Sequence, residues 1–246
     1  MRKMQPSSFT SDHAPLMSWT RGAVGQFVLA AVCLGLLTGA LTGALFGPVF
    51  AAIALAAMSV GAALATALMR RGYPHHDLGP CNLVTLIRLA LTSTLVAALG
   101  VPISGWIVLG IALCALALDG IDGWLARLGG HVSDFGARFD MEVDAALGLV
   151  LAVLAWASGT VGAVVLLLGL PRYVFVAASA IWPWMANPLP ERFGRKIVCV
   201  VQIMALVILQ APVVEGPLAS AILVTASVAL VWSFGRDVFW LWRTRP

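Results

Sequence analysis

Eight apolar runs, each close to the length of a bilayer crossing, constrain this chain more than any other feature. They cover about 25–46, 48–69, 83–100, 104–125, 137–158, 161–183, 196–212 and 217–238. A hydrocarbon core of about 30 Å takes roughly 20 apolar residues as helix. Inside it every backbone N–H and C=O must be satisfied within its own segment, which selects helices. Gly47-Pro48, Gly100-Val101-Pro102, Ser158-Gly159-Thr160 and the stretch from Ala211-Pro212 to Gly216-Pro217 punctuate the runs. The pattern predicts an all-α integral membrane protein of about eight transmembrane helices. Only 11% of the residues are charged, against about 25% in a soluble domain, which excludes an ordinary soluble fold.

Charge gives the orientation. Fourteen of the 15 Lys and Arg residues fall on one side of the expected spans, and Arg172, inside the sixth, is the exception. The loops on the other side carry one charge, Glu215. Basic residues mark cytoplasmic loops, so both termini are expected in the cytoplasm of a cell with the protein in its inner membrane. The pI near 9.2 then reflects loops facing anionic lipid rather than a nucleic-acid partner. Residues 1–22 read as a polar cytoplasmic tail and 23–70 as two transmembrane helices. The polar interruption RRGYPHHDLGPCN (70–82) separates these from the remainder, 71–246. Four scattered cysteines, three in apolar runs, read as small hydrophobes.

Six of the 11 acids sit between residues 118 and 145, in LDGIDGWLARLGGHVSDFGARFDMEVDA. Asp119 and Asp122 are three apart, and Asp140 and Asp144 four apart, so on helices each pair shares a face. Asp119 ends the fourth apolar run and Asp144 begins the fifth, which places both pairs at the cytoplasmic ends of neighbouring antiparallel helices. Carboxylates converging there would repel one another, and two divalent cations would remove the repulsion. Oxygen-only ligands favour hard ions such as Mg²⁺, Mn²⁺ or Ca²⁺. Gly120, Gly123 and Ala126 leave a stripe of small residues for close approach to the backbone, and Arg127 follows where it could grip a phosphate. A proton relay or ion path and a plain charged loop are the alternatives that spacing alone leaves open.

The same residues resemble a known pattern. Asp119-x-x-Asp122-Gly123-x-x-Ala126-Arg127, eight residues, then Gly136-x-x-x-Asp140-x-x-x-Asp144 is similar to the motif of the CDP-alcohol phosphotransferases, integral membrane enzymes of phospholipid synthesis. Upstream, Pro80-Cys81-Asn82-Leu83-Val84-Thr85-Leu86-Ile87-Arg88 resembles the Pro-Asn-x-x-Thr-x-x-Arg opening of that family's first core helix, with Cys81 inserted after the proline. The resemblance covers about 80–240 and implies a six-helix core, leaving the first two helices outside it. It implies that Asp119, Asp122, Asp140 and Asp144 bind two divalent cations, Mg²⁺ or Mn²⁺, with Asp144 also the base. Asn82, Thr85, Gly123, Ala126, Arg127 and Gly136 would hold the cytidine nucleotide, with Arg127 at the diphosphate and Arg88 nearby. The reaction implied is transfer of a phosphatidyl group from CDP-diacylglycerol to a polar acceptor alcohol with release of CMP, by a homodimer in the bilayer.

The acceptor is less determined. Arg172, Arg195 and Lys196 are candidates to hold a phosphate on it, although positive-inside bias alone would also collect Arg195 and Lys196 at that edge. Ala145 follows Asp144 where glycerophosphate-specific relatives carry lysine, which points away from that acceptor. The same motif would serve a CDP-choline or CDP-ethanolamine enzyme with diacylglycerol as acceptor. A cation transporter is the remote alternative, and it would need acids or broken helices near mid-membrane. His75-His76-Asp77 reads as a solvated loop, since adjacent histidines on a helix do not easily share one ion.

Overall fold

The structure, a computed structural model, describes residues 22–129, 133–187 and 193–245, without the side chains of 122–129, 193 and 196. Among the described residues the chain is helical and has no strand. Its helices are α1 (Ala23–Phe46), α2 (Pro48–Met69), α3 (Pro80–Ala98), α4 (Gly105–Gly129), α5 (Asp134–Ala157), α6 (Leu166–Gly169), α7 (Pro171–Ile181), α8 (Phe193–Ile208) and α9 (Gly216–Arg243). Short 3₁₀ turns at Ala163–Val165 and Pro183–Ala186 flank α6 and α7.

Four helices, α1, α2, α3 and α9, are long and apolar enough to cross a membrane. The sixth expected span is not continuous. Ala163–Gly169 and Pro171–Ile181 meet at 65°, so together they make at most one broken span. Proline at the first position of α7 has no N–H to bond the preceding turn, and its ring crowds that turn, which breaks the run. Gln202 of α8 donates to the Leu168 carbonyl near this break (2.5 Å), satisfying an acceptor that the interruption frees. The apolar lengths Gly105–Ile121 and Ile197–Ile208 are shorter than a full crossing.

α1 and α2 form a tight hairpin through small residues. Gly35, Gly39 and Gly43 recur every four positions along α1. A Cβ on Gly39 would lie 2.7 Å from Leu55 Cγ, and one on Gly43 3.2 Å from Ala51 Cβ. Between lipid-immersed helices close backbone approach of this kind supplies the packing, because apolar side chains gain nothing by leaving lipid.

α3 is the central helix and packs against α1, α2, α4 and α5. Its buried residues include Asn82, Thr85, Arg88, Thr92 and Ser93. The three hydroxyls return to the carbonyl one turn back, at Cys81, Arg88 and Leu89 respectively, which satisfies them inside the helix. One apolar cluster joins α3–α6, α8 and α9 (Leu95, Leu147, Leu151, Leu206, Leu230), and a second joins α1–α3 to the start of α5 (Phe27, Met58, Leu86, Phe139).

Candidate active site

The acids meet where the polar ends of α3, α4 and α5 converge. Gly79, in the left-handed region at φ 74°, turns the chain into α3, and Pro80 occupies the first helical position. α5 begins at an N-cap, Ser133, whose hydroxyl accepts from the Gly136 N–H (3.1 Å). Asp134 lies in that first turn, where the helix dipole favours an acid. From these starts, Arg88 on α3 faces Asp140 and Asp144 on α5 and Asp119 on α4.

Arg88 is 1% exposed and is the hub. Its Nη1 donates to Asp140 and its Nη2 to Asp144, and Nη2 also lies 3.0 Å from Asp119 Oδ1. The carboxylates keep over a third of their side-chain surface open, so a buried cation holds an accessible face of acids. With all three ionised, one guanidinium leaves two negative charges uncompensated, the charge of one divalent ion.

The donor set fits such an ion. One oxygen from each of Asp119, Asp140 and Asp144 lies within 4.8 Å of the others, which is about the span that two oxygens on one Mg²⁺, Mn²⁺ or Ca²⁺ reach across it. Asp122, the fourth expected ligand, lies on the helical backbone of α4, but its side chain is outside the described residues. The same holds for Gly123, Ala126 and Arg127 on α4 and for Lys196 on α8, and Gly130 of the turn between α4 and α5 is outside them altogether.

Asn82 and Gly136 come together as neighbours. A Cβ on Gly136 would lie 3.2 Å from Asn82 Oδ1 and 3.2 Å from Ser133 Oγ, so any side chain there would crowd both. Asn82 is buried, and its amide nitrogen donates to the Leu78 carbonyl (2.6 Å) and to the Tyr73 hydroxyl (3.0 Å). Thr85 lies between Asn82 and Arg88 on the same helix face, also buried.

Two of the candidate acceptor residues, Arg172 and Arg195, have protein partners. Arg172, near the start of α7, donates to Glu142 Oε1 at 2.5 Å and does not reach the three aspartates. Arg195 pairs with Asp237 of α9 at 3.4 Å, an acid only 5% exposed. No spacing rule ties Glu142 to Arg172 or Asp237 to Arg195. Glu142 lies two residues from both Asp140 and Asp144, hence on the opposite side of α5, and the lone Arg172 in an apolar run was the signal for it. His76 meets Asp77 at 3.3 Å in an exposed loop.

A family model described as CDP-alcohol phosphatidyltransferase matches residues 78–233, more than half of the chain. No curated protein and no solved structure matches it. The match begins at Leu78, just before α3, and takes in Arg88 and every acid of the cluster, while α1 and α2 fall outside it. The chain belongs to the CDP-alcohol phosphatidyltransferase family, membrane transferases that move a substituted phosphate group from a CDP-alcohol with the aid of divalent cations.

Proposed function

We propose that the protein transfers a phosphatidyl group from CDP-diacylglycerol to the hydroxyl of a polar alcohol, releasing CMP, in phospholipid biosynthesis. The observation that carries this reading is the convergence of Asp119, Asp140 and Asp144 on buried Arg88, inside the residues matched by the family. The acceptor oxygen forms a bond to the phosphorus that bears the lipid. The bond from that phosphorus to the CMP phosphate oxygen breaks, and CMP leaves with the electron pair. Asp144 orients the acceptor hydroxyl and takes its proton at a carboxylate oxygen. Arg127 is assigned to the departing phosphate, and Asn82, Thr85, Gly123, Ala126 and Gly136 to the cytidine nucleotide. Asp119, Asp122, Asp140 and Asp144 would hold two divalent cations, Mg²⁺ or Mn²⁺, which when bound neutralise charge on the diphosphate.

A site at the cytoplasmic membrane edge would let the lipid tails stay in the bilayer while the acceptor arrives from water. Arg172 and Arg195 already hold Glu142 and Asp237. A phosphorylated acceptor would have to exchange with those acids, so phosphate on the acceptor is the variable to test.

The test is purified protein with radiolabelled CDP-diacylglycerol, Mg²⁺ or Mn²⁺, and a panel of charged and neutral alcohols, reading CMP release and lipid product. Product with at least one polar alcohol is expected. No turnover of CDP-diacylglycerol, together with transfer from CDP-choline or CDP-ethanolamine to diacylglycerol, would replace this reading by the opposite use of the motif.

A further inference from the structure

We propose that the N-terminal helix α1, outside the family match, positions the nucleotide side of the site through Gln26, Tyr73 and Asn82. This rests on the assignment of Asn82 to the nucleotide. Gln26 sits one turn into α1 and clasps the chain just before α3: its Oε1 accepts from the Leu78 N–H (2.9 Å) and its Nε2 donates to Asp77 Oδ1 (3.3 Å). The Leu78 N–H can only donate, so the orientation of the Gln26 amide is fixed by its partner. Tyr73 lies in the same loop. Its hydroxyl oxygen is 2.8 Å from the Leu78 carbonyl and 3.0 Å from that of Asp77, and it accepts from Asn82 Nδ2 (3.0 Å). Burial pushes the Tyr73 phenol above its ordinary value, keeping it a donor to those carbonyls.

Asn82 thereby spends both amide hydrogens, on Tyr73 Oη and on the Leu78 carbonyl. Because that carbonyl can only accept, the Asn82 amide oxygen must turn the other way, and it lies toward Gly136. The next residue of α1 reaches the other wall. Phe27 is fully buried and meets the rings of Phe135 (6.2 Å) and Phe139 (5.6 Å) edge-on, on either side of Gly136 along α5. Tyr73 meets Phe135 as well, at 5.5 Å. Two consecutive residues of α1 thus contact the Asp77–Leu78 segment that leads into Asn82 and the Phe135 and Phe139 rings that flank Gly136. A nucleotide held by Asn82 would meet an acceptor oxygen whose direction is set by the Leu78 carbonyl and by Tyr73, and Gln26 and Tyr73, both outside the family unit, hold that segment in place.

The experiment compares Tyr73→Phe, Gln26→Leu and Asn82→Ala in the full chain, reading KM for CDP-diacylglycerol, KM for the acceptor, kcat at saturation and direct binding of CMP. Tyr73→Phe keeps the ring and removes only the hydroxyl. It and Gln26→Leu are expected to raise the donor KM and weaken CMP binding about fivefold, as loss of one net hydrogen bond does. Acceptor KM and kcat should hold. If Asn82→Ala weakens donor binding while neither Tyr73→Phe nor Gln26→Leu does, the positioning role is wrong and the nucleotide assignment stands. If Asn82→Ala also leaves the donor KM and CMP binding unchanged, the nucleotide assignment of Asn82 falls and takes the positioning role with it. A uniform loss of unfolding temperature, kcat and both affinities would reduce α1 to a structural support and overturn the proposal.

Discussion

α1 and α3 are both apolar helices in contact with each other, yet they use the membrane in opposite ways. The most apolar window of α1 has mean hydropathy 2.1 and is 22% buried inside the protein, whereas that of α3 has 1.6 and is 67% buried. The less hydrophobic helix is the more deeply enclosed. In water the order would be reversed. In lipid the apolar surface is at home outside, and groups that need hydrogen bonds or counter-charges are driven inward. Exposed Leu29, Leu36, Leu41 and Leu45 line α1, while α3 buries Asn82, Thr85 and Arg88. Polarity therefore marks the interior of this protein, and its interior is where the chemistry sits.

The largest expected effect tests that interior directly. Asp119→Asn, Asp140→Asn and Asp144→Asn should each take CMP release below detection in protein that still folds in detergent, and excess EDTA should do the same to the wild type until Mg²⁺ or Mn²⁺ is restored. Undiminished turnover in EDTA would remove the divalent cation from the reading. Next comes Arg88→Leu, which leaves three acids without their buried partner. Breaking such a cluster should cost about 1–3 kcal/mol, below the full buried-pair value because the carboxylates are partly exposed. Added Mg²⁺ should then raise the unfolding temperature of the variant more than that of the wild type. Equal gains in both would show that the cation and the guanidinium do not answer the same charge.

A smaller effect belongs to the hairpin. Gly39→Leu forces a side chain against Leu55 and should destabilise by about 1–3 kcal/mol, read as a lower unfolding midpoint with acceptor KM unchanged. A raised acceptor KM would mean that α1 and α2 reach further into the site than their packing shows. The smallest is the Glu142–Arg172 pair, partly exposed on both sides. A double-mutant cycle with Glu142→Gln and Arg172→Gln should give a coupling below about 1 kcal/mol in stability. A rise in acceptor KM of ten- to hundredfold in Arg172→Gln, confined to phosphorylated acceptors, would show that Arg172 leaves Glu142 to bind them.

Much of this was legible in the sequence where local rules govern. The bounds of α1 and α2 follow from Gly47-Pro48 and from the run of apolar residues on either side. The facing of Asp140 and Asp144 follows from a four-residue spacing on a helix. The break in the sixth span is hidden from hydropathy, which sums side chains and is blind to the effect of Pro171 on backbone geometry. The rank of Arg88 was hidden for a different reason. It was expected merely near the nucleotide, and its partners Asp140 and Asp144 are 52 and 56 residues away, so only the packing of α3 against α5 reveals it as the hub. Arg172 and Arg195 are candidates for an acceptor phosphate, with positive-inside bias a second account of Arg195; packing gives them Glu142 and Asp237 as partners, and no spacing rule ties those acids to them.

Arg88 also bears on how such a protein is made. A polypeptide enters the bilayer as a chain, and acids without a counter-charge would hold water about them and resist assembly. This chain carries its own counter-charge on the neighbouring helix, and Arg88 meets Asp119, Asp140 and Asp144 as soon as α3, α4 and α5 pack. Folding closes on an internal counterion, so the acid cluster can assemble without waiting for a divalent ion.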